Sequence, residues 1–129
     1  MIDEDYVSFE VAKLLKEKGF DEQCTYMYDS QHKLYSTFEQ CRQITRNNSD
    51  WIYYVGQLNV VPIAVPTHQM AMKWLREIYN INIEILLNGE GKWWPISCQD
   101  IKVRKEGEFY STYEEAVEAA LKYCLTKLI

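Results

Sequence analysis

Apolar residues change period partway through the stretch Ala64–Leu87. Ala71, Trp74, Leu75 and Ile78 recur at helical spacing, with Met70, Met72 and Tyr79 widening the apolar side. Only Gln69, Lys73, Arg76, Glu77 and Asn80 remain for a polar stripe, which predicts a core helix rather than a surface one. Pro66 and Thr67 suit the first helical position and the N-cap, so the helix is expected to start there. From Ile81 the period drops to two. Ile81, Ile83 and Ile85 alternate with Asn82 and Glu84 before Leu86 and Leu87, the pattern of a half-buried strand.

Ser8 can cap a helix over Ser8–Lys18, with Glu10 in its first turn, Val11, Ala12, Leu14 and Leu15 on its apolar side, and Gly19 as its stop. Phe20 is placed to fold back on the last turn. Gln23–Tyr28 and Lys33–Phe38, separated by D-S-Q-H, read as a hairpin. Asn47–Asp50 has the chemistry of a loop. Trp51–Val55 and Leu58–Val65 look extended, and Pro62 and Pro66 restrict them to an edge strand or a docked segment. N-G-E-G then predicts a hairpin turn, with Lys92–Cys98 as the return strand and Pro95 as an irregularity within it. Ile101–Lys105 and Glu108–Ser111 flank a second E-G and suggest another hairpin. Ser111 or Thr112 with Glu114 or Glu115 forms a capping box for a last helix over Thr112–Lys127. Three helix starts share one pattern: S-F-E-V-A at Ser8, T-H-Q-M-A at Thr67 and T-Y-E-E-A at Thr112. Duplication of a helix-hairpin unit and convergence on shared capping rules both account for it.

The expected fold is therefore α+β. It is a single domain over residues 1–129, with a mainly antiparallel sheet of about five or six strands and three helices, the central one most buried. At 129 residues the chain is long enough to bury one core, and its 47% hydrophobic and 26% charged composition argues against disorder. A net charge of −5 weighs against binding a phosphate backbone, which needs a basic face. Four scattered cysteines without a C-x-x-C pair suit reduced thiols in a cytosol. The acidic start M-I-D-E-D-Y does not resemble a signal peptide, and the apolar run Val60–Val65 is far too short to span a bilayer. The expectation is a cytoplasmic protein with no membrane segment.

Three segments carry a resemblance to a known family. V-S-F-E-V-A-K-L-L-K-E-K-G-F-D-E, A-P-T-H-Q-M-A-M-K-W-L-R-E-I-Y-N-I-N-I and T-Y-E-E-A-V-E-A-A-L-K-Y-C-L are similar to a family of small uncharacterised proteins of gut Bacteroidales, their prophages and other mobile elements. The resemblance takes in both ends and the centre, and leaves about 26–61 as its least familiar part. It implies a setting, a bacterial cytoplasm and a gene of phage origin. It brings no catalytic residues with it.

The chain carries few residues in patterns that chemistry requires. Cys24, Cys98 and Cys124 fall among apolar or aromatic neighbours, where a cysteine packs as a small hydrophobe, and Cys41 alone lies in a polar stretch. His32 and His68 belong to no metal-ligand spacing. Glu114, Glu115 and Glu118 lie near a helix start, where the dipole and the cap explain them, and Asp3, Glu4 and Asp5 precede the first helix. N-G-E-G-K needs glycine for its turn rather than for phosphate, and K-V-R-K followed by Glu106 and Glu108 reads as an edge strand protected by charge. No catalytic, metal or cofactor site is assigned.

The aromatic excess remains, with ten Tyr and four Trp. Trp51, Tyr53 and Tyr54 cluster in one extended segment, and Trp93 and Trp94 are adjacent in another. Neighbours in a strand point to opposite faces, so one ring of each adjacent pair should meet a second layer, a partner or water. These five residues are the candidate interaction surface. The leading expectation is a non-enzymatic protein–protein interaction module, bound to a host protein or to itself. A small ligand-binding domain or enzyme with a site assembled from Tyr, His and Cys is the alternative. A nucleic-acid modulator is the third.

Overall fold

The computed structural model describes residues 5–28, 33–36, 53–55, 58–60, 63–99, 102–105 and 109–129. The chain divides into two compact units, one over Tyr6–Pro66 and one over Thr67–Ile129 together with Asp5.

The Tyr6–Pro66 unit opens with α1 (Phe9–Glu17), where the Ser8 hydroxyl accepts the Val11 amide at 3.3 Å. The helix ends through Gly19 at φ +95. There the Phe20 amide donates to the Leu15 carbonyl at 2.9 Å and the Gly19 amide to that of Lys16 at 3.2 Å, the paired bonds of a Schellman ending. Phe20 and Leu15 are both fully buried, so the apolar contact that accompanies this ending has its two members in place. The strands that follow are β1 (Tyr26–Tyr28), β2 (Leu34–Ser36), β3 (Tyr53–Val55), β4 (Leu58–Val60) and β5 (Ile63–Val65). β1 pairs antiparallel with both β2 and β5, giving the order β2-β1-β5, while β3 and β4 form a hairpin of their own. Met27 at the centre of β1 and Ala64 opposite it are fully buried, and α1 lies against β5. Tyr6 meets Tyr26 edge to face at 4.8 Å between ring centroids, and Phe9 meets Tyr28 at 5.5 Å.

The Thr67–Ile129 unit opens with α2 (His68–Tyr79), capped by the Thr67 hydroxyl on the Met70 amide at 3.1 Å. Asn80 ends it in the left-handed region at φ 56, and β6 (Ile81–Leu87) begins at the next residue. β6 pairs with β7 (Trp93–Gln99), which pairs in turn with β8 (Lys102–Lys105), in the order β6-β7-β8. α3 (Tyr113–Tyr123) is capped by Thr112 on the Glu115 amide at 3.1 Å and runs into a π-helical turn, Cys124–Leu128. α3 lies against β7 and β6 and beside α2.

Several expectations need correction. The strands do not form one sheet of five or six: among the described residues they make separate sheets of three, two and three strands. Each three-stranded sheet has its own helix to bury against, α1 in one unit and α3 in the other, so the strands close locally. The last helix is α-helical only to Tyr123. The wet face of α2 is broader than its pattern suggests, because burial stops at Leu75 and leaves Ile78 61% exposed in the final turn. Tyr110 does not pair back on β8 as a further hairpin would require. It bridges Trp93 on the same side of β7, with both backbone bonds at 2.8 Å. The two recurring helix-hairpin units also diverge, since the middle strand is the first of the hairpin in one sheet (β1) and the second in the other (β7).

The turn between β6 and β7 is not a two-residue Asn-Gly turn. The Asn88 amide donates to the Lys92 carbonyl at 2.8 Å, and the Asn88 side-chain oxygen accepts the amides of Glu90 and Lys92, each at 2.9 Å. That leaves a loop of three residues with positive φ at Gly91, +79, as in a hairpin closed by a glycine bulge. A Cβ at Gly89 would meet nothing within 4 Å, and the same is true at Gly91 apart from its φ. Gly91→Ala is therefore expected to lower the unfolding free energy by about 1–2 kcal/mol. Gly89→Ala is expected to leave it unchanged or raise it by about 0.5 kcal/mol through the unfolded state. Paired urea titrations of the two variants measure the contrast.

Candidate functional site

The hydrogen-bond parity of the β6–β7 hairpin decides where its aromatic residues go. Asn88 and Lys92 form a bonded pair, so Leu86 with Trp94, Glu84 with Ile96 and Asn82 with Cys98 also exchange bonds. Pro95, opposite Ile85, falls in a non-bonded pair, and its nitrogen lies on the side of β7 that Trp93 turns to Tyr110. The missing N–H thus removes nothing from the ladder to β6. On that outer side the register differs by two residues between the Tyr110 bridge and the β8 ladder.

Side chains follow the same alternation. Trp93 is half-buried on the face that meets α3, where its ring stands edge to face on Tyr113 at 5.4 Å and 87°. Ile81, fully buried, shares that face. Trp94 lies on the other face, its ring tilted on Phe109 at 5.6 Å and 41°. Leu86 is its cross-strand partner there. Leu86 is 43% exposed and Phe109 50% exposed, so the two flank the half-buried Trp94 with apolar surface in contact with solvent. Such a cluster around a tryptophan is what protein-binding surfaces use.

The five candidate residues are therefore split. Trp93 packs structurally, and Trp94 belongs to an exposed apolar face. Tyr53 and Tyr54 are consecutive in β3, paired with Val60 and Asn59 of β4. Trp51 lies outside the described residues, as do His32 and Cys41. Leu86 and Phe109 were not singled out from the sequence. Phe109 comes to Trp94 because Tyr110 bridges Trp93, a pairing that spacing along the chain does not announce.

No family model, curated protein or solved structure matches the chain.

One further pairing carries polar chemistry. His68, in the first turn of α2 and 5% exposed, places Nε2 at 2.9 Å from Oε1 of Glu118 on α3. A carboxylate accepts, so His68 donates through Nε2. Its backbone amide donates to the Asp5 carbonyl at 2.9 Å, and the neighbouring Gln69 amide group reaches the Tyr113 hydroxyl at 3.3 Å. A histidine oriented by a carboxylate can act as a base or bind a metal through its second nitrogen. Here Nδ1 is buried without a partner among the described residues, and no group of three or more His, Cys, Asp or Glu among them could hold a metal. The pair thus fits a tie between α2 and α3. Glu118→Leu should cost about 1–3 kcal/mol by leaving Nε2 of the buried His68 without its acceptor, and His68→Phe should cost less, because Glu118 is 21% exposed. The double variant should cost less than the sum, which a double-mutant cycle in urea measures.

Cys24, 5% exposed, has its thiol pushed up to about 12 from 9.0, first by burial and then by the charge of Glu22. Its Sγ reaches the Glu22 carbonyl at 3.5 Å. The folded protein keeps this proton where the unfolded chain releases it, so the contribution of Cys24 to stability is whole below pH 9 and is lost as pH rises toward 12. Alkaline denaturation should show a decline of at most about 1.4 kcal/mol per pH unit from this group, absent in Cys24→Ala.

Proposed function

We infer that the protein is a non-enzymatic protein-interaction module whose docking surface is the open face of the β6–β7 hairpin. The observation that carries this reading is the grouping of Trp94 with the exposed Leu86 and Phe109 on the sheet face opposite Trp93 and α3. A tryptophan flanked by solvent-accessible apolar side chains gains most from being covered by a complementary apolar surface, and truncating such an anchor removes a large share of the binding energy. His68 has no comparable opening to a solute, since its Nδ1 is buried.

The partner on this reading is a protein with an apolar patch of its own. Similarity to small proteins of gut Bacteroidales and their prophages supports a bacterial cytoplasm as the setting and a host protein as the target. No helix among the described residues is long and apolar enough to cross a membrane. Immobilised protein incubated with Bacteroidales lysate should retain a specific host protein. Trp94→Ala should weaken that retention about 30-fold, the equivalent of a 2 kcal/mol anchor. Leu86→Ala should weaken it less, and circular dichroism should show both variants folded. Equal retention by wild type and both variants would remove the face from consideration.

A further inference from the structure

The outer edge of β6 is a second surface, and it rests on backbone rather than side-chain observations. Asn82, Glu84 and Leu86 direct their amides and carbonyls to β7, so those of Ile83, Ile85 and Leu87 point the other way. Among the described residues no hydrogen bond reaches these outward groups. The strand is seven residues long and contains no proline, lysine or arginine, the residues that commonly blunt an exposed edge. Donors and acceptors that recur every second residue, about 6.8 Å apart, are matched by another extended backbone.

We propose that this edge pairs with β6 of a second copy of the chain, antiparallel about a two-fold axis at Ile85. Within that pairing, the sequence I-N-I-E-I-L-L selects the register. Its single charged residue is Glu84, and an axis there would set the two glutamates directly opposite each other, which is unfavourable. An axis at Leu86 would match Ile83 and Glu84 with the turn residues Gly89 and Asn88. With the axis at Ile85 all pairs stay within the strand. Ile85 of one copy meets Ile85 of the other, and Ile83 of each meets Leu87 of the other, for about six backbone bonds. Glu84 then lies opposite Leu86 of the second copy. The product is a six-stranded sheet in the order β8-β7-β6-β6-β7-β8, with the two faces bearing Trp94 on the same side.

Sedimentation and light scattering across a concentration series test this. The wild-type mass should climb from 15.4 kDa toward twice that value. Ile85→Pro removes an outward N–H while sparing the ladder to β7, as Pro95 does in the strand opposite, and should weaken the dimer at least tenfold. Trp94→Ala should leave the dimer intact, which separates this edge from the docking face. Amide exchange supplies a second readout that needs no variant. The amides of Ile83, Ile85 and Leu87 should slow as concentration rises, while those of Asn82, Glu84 and Leu86 hold steady. A mass of 15.4 kDa at every concentration overturns the proposal. So does a dimer whose outward amides exchange at a concentration-independent rate, or one lost in Trp94→Ala and kept in Ile85→Pro.

Discussion

Along the β6–β7 hairpin, even-numbered residues of β6 bond inward and odd-numbered ones turn outward, and the Asn88–Lys92 closure sets that alternation. Every later feature of the unit follows from it. The parity lets Pro95 sit in a middle strand without removing a ladder bond to β6. It sends Trp93 to α3 and Trp94 to the opposite face, and it turns the unbonded groups of β6 to one edge. A one-residue slip of β7 along β6 would turn Trp94 to the face of Ile81 and send Trp93 to the opposite one. The glycine at position 91 holds the register by accepting a backbone angle that closes the turn in three residues.

Local features were legible in the sequence because local rules produce them. Ser8, Thr67 and Thr112 each cap a helix with a side-chain oxygen, and Gly19 with Phe20 ends the first, all within a few residues of chain. The switch from helical to strand period at Ile81 was equally clear, since one residue separates the two. Sheet membership was not legible. Whether β5 joins β1 or continues from β4 depends on which apolar face is covered by which helix, and three-residue strands carry too little pattern to say. The burial of α2 was overestimated for a related reason: periodicity gives the direction in which Ile78 points, not how far the neighbouring elements extend.

The candidate surface was half legible. Adjacent tryptophans in a strand must part company, and they do. Which one faces α3 depended on the hairpin closure, and Phe109 entered through the Tyr110 bridge. His68 and Glu118 stand fifty residues apart, each with an adequate local explanation as a first-turn residue or a helix-face acid. Nothing in the spacing of either announces a bond that only packing α2 beside α3 creates.

The junction at Asn80 has a mechanical meaning. α2 ends and β6 begins with one residue between them, held in a left-handed conformation. The direction of the helix axis relative to the strand is therefore governed chiefly by two torsion angles, with no loop to absorb a change. Any tilt imposed on α2 is passed to β6 as a rotation of the strand, and a strand held straight by an added neighbour would hold the helix in turn. The orientation of the helix and that of the edge are thus set together at a single asparagine.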